Sequence, residues 1–113
     1  MKQPTLGNPQ NTIAVLQKYN FVFQKKFGQN FLIDTHVLDK IIRAAQISGD
    51  DCVLEIGPGI GTMTQYLACA ARRVIAVEID RALIPILEDT LDGYDNVRVI
   101  NEDVLKVDIA KLA

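Results

Sequence analysis

The sequence is poor in the residues that bind transition metals. Among 113 residues it has one histidine, His36, and two cysteines, Cys52 and Cys69. A structural zinc site needs about four such ligands close together, and the two cysteines form no C-x-x-C pair. We therefore expect no metal site. Because both cysteines stand in apolar surroundings, we expect them to be buried, free thiols in a reducing compartment.

Long hydrophobic runs are also missing. No apolar stretch approaches the roughly 20 residues that a membrane-spanning helix requires. The first ten residues are polar, contain Pro4 and Pro9, and lack the apolar stretch of a signal peptide. Residues 1–10 are therefore expected to form a disordered lead. No membrane partner is expected, and the cytoplasm is the expected location.

The chain has little net charge, at −2, but its charges are unevenly distributed. Residues 1–43 carry a net charge of +4 and the remainder carries −6. The whole-chain balance argues neither for nor against a nucleic-acid partner. The N-terminal part is the better candidate for contact with an anionic partner, although a solvated surface explains the same charges.

The first half of the chain has a helical pattern. Asn11 or Thr12 is the expected cap of a short helix that ends near Tyr19. Asp34 is the expected cap of a second helix over residues 35–46, whose apolar residues recur at helical spacing. Its inward face is expected to hold Val37, Leu38, Ile41, Ile42 and Ala45. Between the two helices, residues 21–33 are expected to form an aromatic loop.

From Cys52 onward, apolar strands alternate with helices. Strands are predicted at Cys52–Ile56, Arg73–Glu78 and Val97–Asn101, with helices over residues 61–71 and 82–91 between them. Met63, Tyr66, Leu67 and Ala70 are the expected inward residues of the first of these helices. Continuous apolar strands of this kind form a parallel sheet covered by helices. The predicted fold is α/β, a Rossmann-like doubly wound sheet.

Three strands are only half of a doubly wound sheet. Residues 104–113 resemble the start of a connection to a further element rather than a natural finish. We therefore expect the chain to be the first half of such a sheet, a piece of a longer protein. A small, self-contained three-stranded domain is the alternative.

Three glycines alternate directly after the first strand: Gly57, Gly59 and Gly61. Ligands of doubly wound sheets bind beyond the carboxyl ends of the strands, and glycine there removes the Cβ that would block them. One glycine would suffice for a tight turn that binds no ligand, and three glycines within five residues fit such a turn poorly. Thr62 stands where the dinucleotide fingerprint has its third glycine. Glu55 would repel a pyrophosphate but suits a ligand with a cationic group.

Acidic residues end the next two strands. Glu78 follows Gly57 by 21 residues and is placed to accept both ribose hydroxyls of an adenosine. Asp80 is better suited to cap the next helix. Asp103 can accept a hydrogen bond from an adenine amine, although alone it is an ordinary polar strand end. Together the three strand ends fit a nucleoside with no phosphate and a positive centre, which is the chemistry of S-adenosyl-L-methionine.

These motifs resemble those of a known family. E-x-G-x-G-x-G from Glu55 and E-I-D-R from Glu78 resemble class I methyltransferases. K-F-G-Q-N-F-L-I-D over residues 26–34 narrows the resemblance to the ribosomal RNA adenine N6,N6-dimethyltransferases, over residues 12–113. The Lys-Tyr-Asn-Phe segment at residues 18–21 is more similar to the bacterial small-subunit (kasugamycin-sensitivity) branch than to the erythromycin-resistance methyltransferases.

The resemblance implies roles for single residues toward S-adenosylmethionine. Asn30 and Leu32 would close over its methionine and sugar side. Gly57 would touch the methionine part, while Gly59 and Gly61 shape the turn.

The remaining implied roles lie at the three strand ends. Glu55 would lie near the amino group of the cofactor, and Glu78 would bind the ribose hydroxyls. Ile79 would pack on the adenine, and Asp103 would bind the adenine amine with Val104 beside it. The chain then divides into residues 1–33, an N-terminal arm and cofactor-closing loop, and residues 34–113, the N-terminal half of the cofactor-binding domain.

The implied activity is dimethylation of N6 of two adjacent adenines near the 3′ end of small-subunit (16S) ribosomal RNA, with the immature 30S subunit as partner. The family's Asn-x-Pro-aromatic motif and its C-terminal helical domain have no counterpart in the sequence. We therefore expect no catalytic residue here and no activity from this chain alone. Two alternatives stay open: a non-catalytic RNA-binding assembly factor, and a nicotinamide-dependent oxidoreductase, which Thr62 and Glu55 disfavour.

Overall fold

The computed structural model describes residues 2–20 and 34–112. Three strands and the helices between them alternate as the sequence predicts. In chain order the elements are α1 (Pro9–Lys18), α2 (Thr35–Ala44), β1 (Cys52–Ile56), α3 (Thr62–Ala70), β2 (Arg73–Glu78), α4 (Ile84–Thr90), β3 (Val97–Asn101) and α5 (Ile109–Leu112). Short 3₁₀ turns, Arg81–Leu83 and Val104–Lys106, precede α4 and follow β3. The predicted α/β class is confirmed.

The strands form one parallel sheet in the order β1-β2-β3. The central strand β2 is buried from Val74 to Glu78. Ile56 of β1 pairs with Val77 of β2, and Glu78 of β2 pairs with Asn101 of β3. Because all three strands run in the same direction, the loops that follow them leave from one edge of the sheet.

Two clusters of buried side chains make the core. In the first cluster, Leu6 from the N-terminal arm packs with Ile60, which follows β1. The same cluster includes four residues around α4: Leu83, Ile86, Leu87 and Leu91. In the second, Leu67 and Ala68 of α3 pack with Val74 of β2 and Tyr94. Helix α4 therefore packs against the N-terminal arm, and helix α3 packs against the sheet.

Residues 2–8, the first part of the N-terminal arm, are ordered. The prediction that residues 1–10 form a disordered lead was therefore wrong. Leu6 is 3% exposed and belongs to the core. The backbone N–H groups of Thr5 and Leu6 both donate to Oε1 of Gln65 at 2.9 Å. The Tyr94 hydroxyl donates to the carbonyl of Gln3 at 2.8 Å. The polar composition suggested disorder, but α3 supplies a buried acceptor that the local sequence does not show.

The start of α1 also differs from its prediction. The Asn8 side chain caps the helix by accepting from the backbone N–H of Gln10 at 2.9 Å. Pro9 is the first helical residue, a position where its missing N–H needs no partner. The caps predicted at Asn11 or Thr12 were therefore placed too late. The Asp34 cap of α2 is confirmed, since it accepts from the N–H of His36 at 2.8 Å.

The helix faces agree only in part with the apolar pattern. On α2, Leu38 is fully buried, whereas Val37 and Ile41 are exposed. On α3, the buried set combines the predicted Leu67 with three polar residues and an alanine: Thr62, Thr64, Gln65 and Ala68. None of the three polar residues was among those predicted to face inward, yet all three are buried.

Both cysteines are free but exposed, so the prediction that they are buried was wrong. Cys52 is the first residue of β1, and Cys69 lies in the last turn of α3. Apolar neighbours in sequence do not bury a residue that stands at the end of its element.

Candidate functional site

The glycine loop between β1 and α3 has a left-handed backbone conformation at each of its three glycines, and the surroundings of Gly57 and Gly61 differ. Gly57 has φ +72°, and a Cβ added there would meet nothing within 4 Å. Gly61 has φ +96°, and a Cβ there would lie 3.0 Å from Oγ1 of Thr90 and 3.3 Å from Leu87. Gly57 thus borders open space, whereas Gly61 is enclosed by α4. This geometry is compatible with a contact role for Gly57 and a shaping role for Gly61.

Glu78 holds the glycine loop against the end of β2. It is 4% exposed, and its Oε1 accepts from the N–H of Gly59 at 3.1 Å. Its Oε2 accepts from the N–H of Asp80 at 2.9 Å. Burial raises the pKa of this carboxyl, and the backbone N–H bonds oppose the shift. Each carboxylate oxygen has a second lone pair, so the group can still accept from hydroxyls of a ligand.

Glu55 is the second acidic group of the site. It is partly buried on β1 and its Oε1 accepts from the hydroxyl of Thr64 on α3 at 2.5 Å. Burial raises the pKa of Glu55 to about 7, the negative charge of Glu78 adds to the rise, and the Thr64 hydrogen bond opposes it. Near neutral pH this carboxyl is therefore poised between its two protonation states, and a cation beside it would favour the ionised one.

Two residues at the end of β3 form hydrogen bonds with the backbone carbonyl of Glu78. The Asn101 amide donates to the carbonyl of Glu78 at 2.8 Å, and the N–H of Glu102 donates to the same carbonyl at 3.1 Å. Asp103 caps the following 3₁₀ turn by accepting from the N–H of Leu105 at 3.0 Å. The sequence did not predict this capping role, which occupies one oxygen of the Asp103 carboxylate.

Apolar side chains lie near Glu78 and Asp103, after the ends of β2 and β3. Ile79, directly after Glu78, is 53% exposed, and Leu105 is 89% exposed. Val104 is partly buried between Asp103 and Leu105. Exposed aliphatic residues next to Glu78 and Asp103 offer apolar surface for a flat ring.

The structure thus places eight of the ten predicted site residues along one edge of the sheet: Glu55, Gly57, Gly59, Gly61, Glu78, Ile79, Asp103 and Val104. Asn30 and Leu32 lie outside the described residues. The role proposed for Asp80 as a helix cap is confirmed, because its Oδ1 accepts from the N–H of Ala82 at 3.0 Å. The contacts of each residue with a ligand stay predictions.

Three polar residues that support the site were missed: Thr64, Gln65 and Thr90. Thr64 contacts Glu55, and the Thr90 hydroxyl donates to the carbonyl of Ile60 in the glycine loop at 2.7 Å. Gln65 donates to the carbonyl of Thr90 at 2.8 Å. One signal was available, since Thr64 and Gln65 are polar residues in a mostly apolar helix that follows the glycine loop directly.

Residues 2–20 and 34–112 contain neither a cluster of metal ligands nor a helix that could span a membrane. This part of the chain contains no group of three His, Cys, Asp or Glu side chains that could hold a metal ion. None of its helices is both long enough and apolar enough to cross a membrane.

Comparison with known families gives the site its context. The model of the family described as "Ribosomal RNA adenine dimethylase" matches residues 20–113. The chain belongs to this family. The resemblance seen in the motifs is thereby confirmed.

Curated members of the dimethylase family match over nearly the whole chain. "Ribosomal RNA small subunit methyltransferase A" of Lachnoclostridium phytofermentans is 72% identical over 108 residues, which are 95% of this chain and 37% of the relative. The protein of the same name from Clostridioides difficile is 53% identical over 107 residues, again 95% of this chain and 37% of the relative. The chain therefore spans little more than a third of the length of these relatives.

Solved structures of similar proteins have the same fold. A dimethyladenosine transferase from Plasmodium falciparum is 39% identical, with a TM-score of 0.62, over 66% of this chain and 28% of that one. The 23S rRNA methyltransferase ErmE is 40% identical, with a TM-score of 0.65, over 70% of this chain and 32% of that one. The class I methyltransferase-like architecture of the chain is confirmed.

Proposed function

We propose that this chain is the cofactor-binding part of an S-adenosylmethionine-dependent adenine dimethyltransferase. The observation that carries the proposal is the carboxylate of Glu78, bonded to the N–H of Gly59 at 3.1 Å beside the open space at Gly57. This pairing places a buried acceptor and an unobstructed backbone at the same edge of the sheet. Family membership supplies the reaction type.

The residues present fit the cofactor. Its ammonium and sulfonium groups need negative partners, and the loop is flanked by Glu55 and Glu78. Glu78 would bind the ribose hydroxyls and Glu55 the amino group. Gly57 would contact the methionine part, on a turn shaped by Gly59 and Gly61.

The adenine would lie against the apolar surface at the ends of β2 and β3. Ile79 would pack on the ring and Asp103 would accept from its amine through the oxygen not used in capping, with Val104 beside it. Asn30 and Leu32, from the family's segment ahead of the fold, would close over the methionine and sugar side.

When bound, S-adenosylmethionine supplies an activated methyl group, and the described residues serve to hold and orient it. The substrate proposed from the family is N6 of two adjacent adenines near the 3′ end of 16S ribosomal RNA. Each target receives two methyl groups. Positioning an activated group for in-line attack contributes much of the rate in such transfers.

The proposed macromolecular partner is small-subunit ribosomal RNA in the immature 30S subunit, and the proposed location is the cytoplasm. The basic N-terminal part supports an anionic partner, but two of its lysines have partners within the chain. Lys18 pairs with Asp89 at 2.8 Å, and Lys2 donates to the carbonyl of Asp92 at 3.2 Å. Lys25 and Lys26, outside the described residues, become the better candidates for phosphate contact.

Calorimetric titration with S-adenosylmethionine and, separately, with NAD tests the cofactor assignment. We expect binding of the first alone. Glu78→Ala should weaken it at least about tenfold, since a buried charged acceptor is lost. The matched control is Glu88→Ala, an exposed glutamate on α4, which should bind as the unchanged chain does. Binding of NAD, or equal binding by Glu78→Ala, would contradict the proposal.

A further inference from the structure

The hydroxyl of Thr64 connects α3 to an acidic residue of the sheet. Thr64 is fully buried in the first turn of α3, which begins at Thr62. Its hydroxyl donates to Oε1 of Glu55 on β1 at 2.5 Å. A hydrogen bond to a carboxylate of the candidate site therefore links α3 to β1.

This contact orders the carboxylate of Glu55. A threonine hydroxyl has one proton to donate, and here it is given to Oε1. Among the described residues, no donor bonds Oε2 of Glu55. The Thr64 hydrogen bond therefore restrains one oxygen of Glu55 and leaves the other without a donor from the part of the chain that the structure describes.

We propose that Thr64 is a positioning residue for the amino group of the cofactor: its hydroxyl holds one oxygen of Glu55, so that the other oxygen receives the ammonium. This inference rests on the proposed function and adds a residue to it. A threonine that serves only to fill the core between α3 and β1 would not affect the ionisation of Glu55.

The charges around Glu55 give the inference a second, pH-dependent signature. Glu78 on β2 is the titratable group of the described residues whose charge acts on Glu55, and it disfavours ionisation. Asp80, at the end of the same strand, acts in turn on Glu78. Because the pKa of Glu55 lies at about 7, an arriving cation must displace its proton at lower pH. Cofactor affinity should therefore rise between pH 5.5 and 7.5, by at most about tenfold per pH unit.

Two substitutions of Thr64 separate positioning from filling. Thr64→Val keeps the shape and removes the hydroxyl, and Thr64→Ser keeps the hydroxyl. The titration of the Glu55 side-chain carboxyl is followed by NMR without ligand, and the Kd for S-adenosylmethionine is measured by calorimetry at pH 6 and 7.5. Thr64→Val should raise the pKa of Glu55 and weaken binding about tenfold at pH 7.5, as loss of a hydrogen bond to a charged group does. Thr64→Ser should restore both.

Thr62 provides the control in the same helix. Its hydroxyl is buried and has no hydrogen-bond partner among residues 2–20 and 34–112, so Thr62→Val removes a buried hydroxyl and leaves the Thr64–Glu55 hydrogen bond in place. It should change neither the Glu55 titration nor the Kd. Thermal unfolding of all variants verifies that each is folded, and Thr64→Ala replaces Thr64→Val if the valine variant does not fold.

The outcomes are distinct. An unchanged Glu55 titration and an unchanged Kd in Thr64→Val would overturn the role of Thr64 while leaving the proposed function intact. Absence of S-adenosylmethionine binding by the unsubstituted chain at every pH would overturn both. A weakened Kd with an unchanged Glu55 titration would show that Thr64 acts through packing, which also overturns the inference.

Discussion

Gln65 donates from Nε2 to the backbone carbonyl of Thr90 at 2.8 Å, although 25 residues separate them in the chain. Gln65 is 1% exposed, and its Oε1 accepts from the N–H groups of Thr5 and Leu6. The hydroxyl of Thr90 in turn donates to the carbonyl of Ile60. One buried amide thus joins the N-terminal arm to α4, and α4 supports the glycine loop.

Replacing Gln65 with leucine should strongly destabilise the fold. The change leaves two backbone N–H groups of the arm and the Thr90 carbonyl without their buried partner. The hydrogen bonds of the Leu6 N–H and the Thr90 carbonyl are buried. A buried group left unpaired costs about 1–3 kcal/mol, so these two give an expected loss of roughly 2–6 kcal/mol. Urea unfolding measures it. The control is Gln17→Leu, an exposed position on α1, where a change within about 0.5 kcal/mol is expected; equal effects of the two changes would refute the role of Gln65.

The glycines of the loop should respond differently to alanine. The Cβ added in Gly57→Ala meets nothing within 4 Å. The free energy of unfolding should therefore fall only by the backbone strain, about 1–2 kcal/mol. Gly61→Ala adds a close approach to Thr90 and should lose at least about 1 kcal/mol more. Binding of S-adenosylmethionine should fall for Gly57→Ala even where the protein remains folded.

Gly49→Ala is the control for both changes, because its added Cβ meets nothing within 4 Å and its φ is not in the left-handed region. Thermal unfolding measures the stability of the three variants, and calorimetry measures their binding of S-adenosylmethionine. A Gly57→Ala chain that unfolds earlier than Gly61→Ala would contradict the assignment of the two roles.

Stability should fall as the pH rises from about 4.5 to 7. The folded-state pKa of Glu55 is raised from 4.5 to about 7, so between these values the folded chain binds more protons than the unfolded chain. Stability then decreases with pH, with a slope of at most about 1.4 kcal/mol per unit from this group. Glu78, whose pKa is also raised, acts in the same direction.

Urea unfolding at pH 5 and pH 7 measures this dependence. Glu55→Gln should have a flatter profile than the unchanged chain, and the exposed Glu88→Gln should not. A Glu55→Gln profile as steep as that of the unchanged chain would show that Glu55 titrates normally.

Alkaline stability should depend on Tyr94. Its hydroxyl donates to the carbonyl of Gln3, and burial raises its pKa to about 12. Between the ordinary value of 10 and this one, the folded chain retains a proton that the unfolded chain loses. Stability therefore falls as the pH rises above 10, and Tyr94→Phe should reduce that fall. Urea unfolding of the unchanged chain and of Tyr94→Phe at pH 9 and pH 11 tests this. An equal loss of stability in both proteins would refute the role of Tyr94.

The sequence by itself determined the strands, the glycine loop and the helix caps at Asp34 and Asp80. These features depend on residues within a few positions of one another: an apolar run, glycines at a strand end, or an aspartate two residues before the N–H it accepts from. The family motifs are local in the same sense, which is why the acidic strand ends at Glu55 and Glu78 could be identified before their geometry was known.

Only the tertiary structure decided the order of the arm and the environment of the two acidic groups. Leu6 is buried because it packs on Ile60 and on residues around α4, and Gln65, 59 residues away, accepts from its N–H. The hydroxyl of Thr64 donates to Glu55 because α3 packs on the sheet, and the hydroxyl of Thr90 donates to the carbonyl of Ile60 across 30 residues of chain. Such contacts join residues distant in the chain, and propensity and periodicity carry no information about them. Burial and hydrogen-bond partners, which set both stability and pKa, therefore became known only from the folded chain.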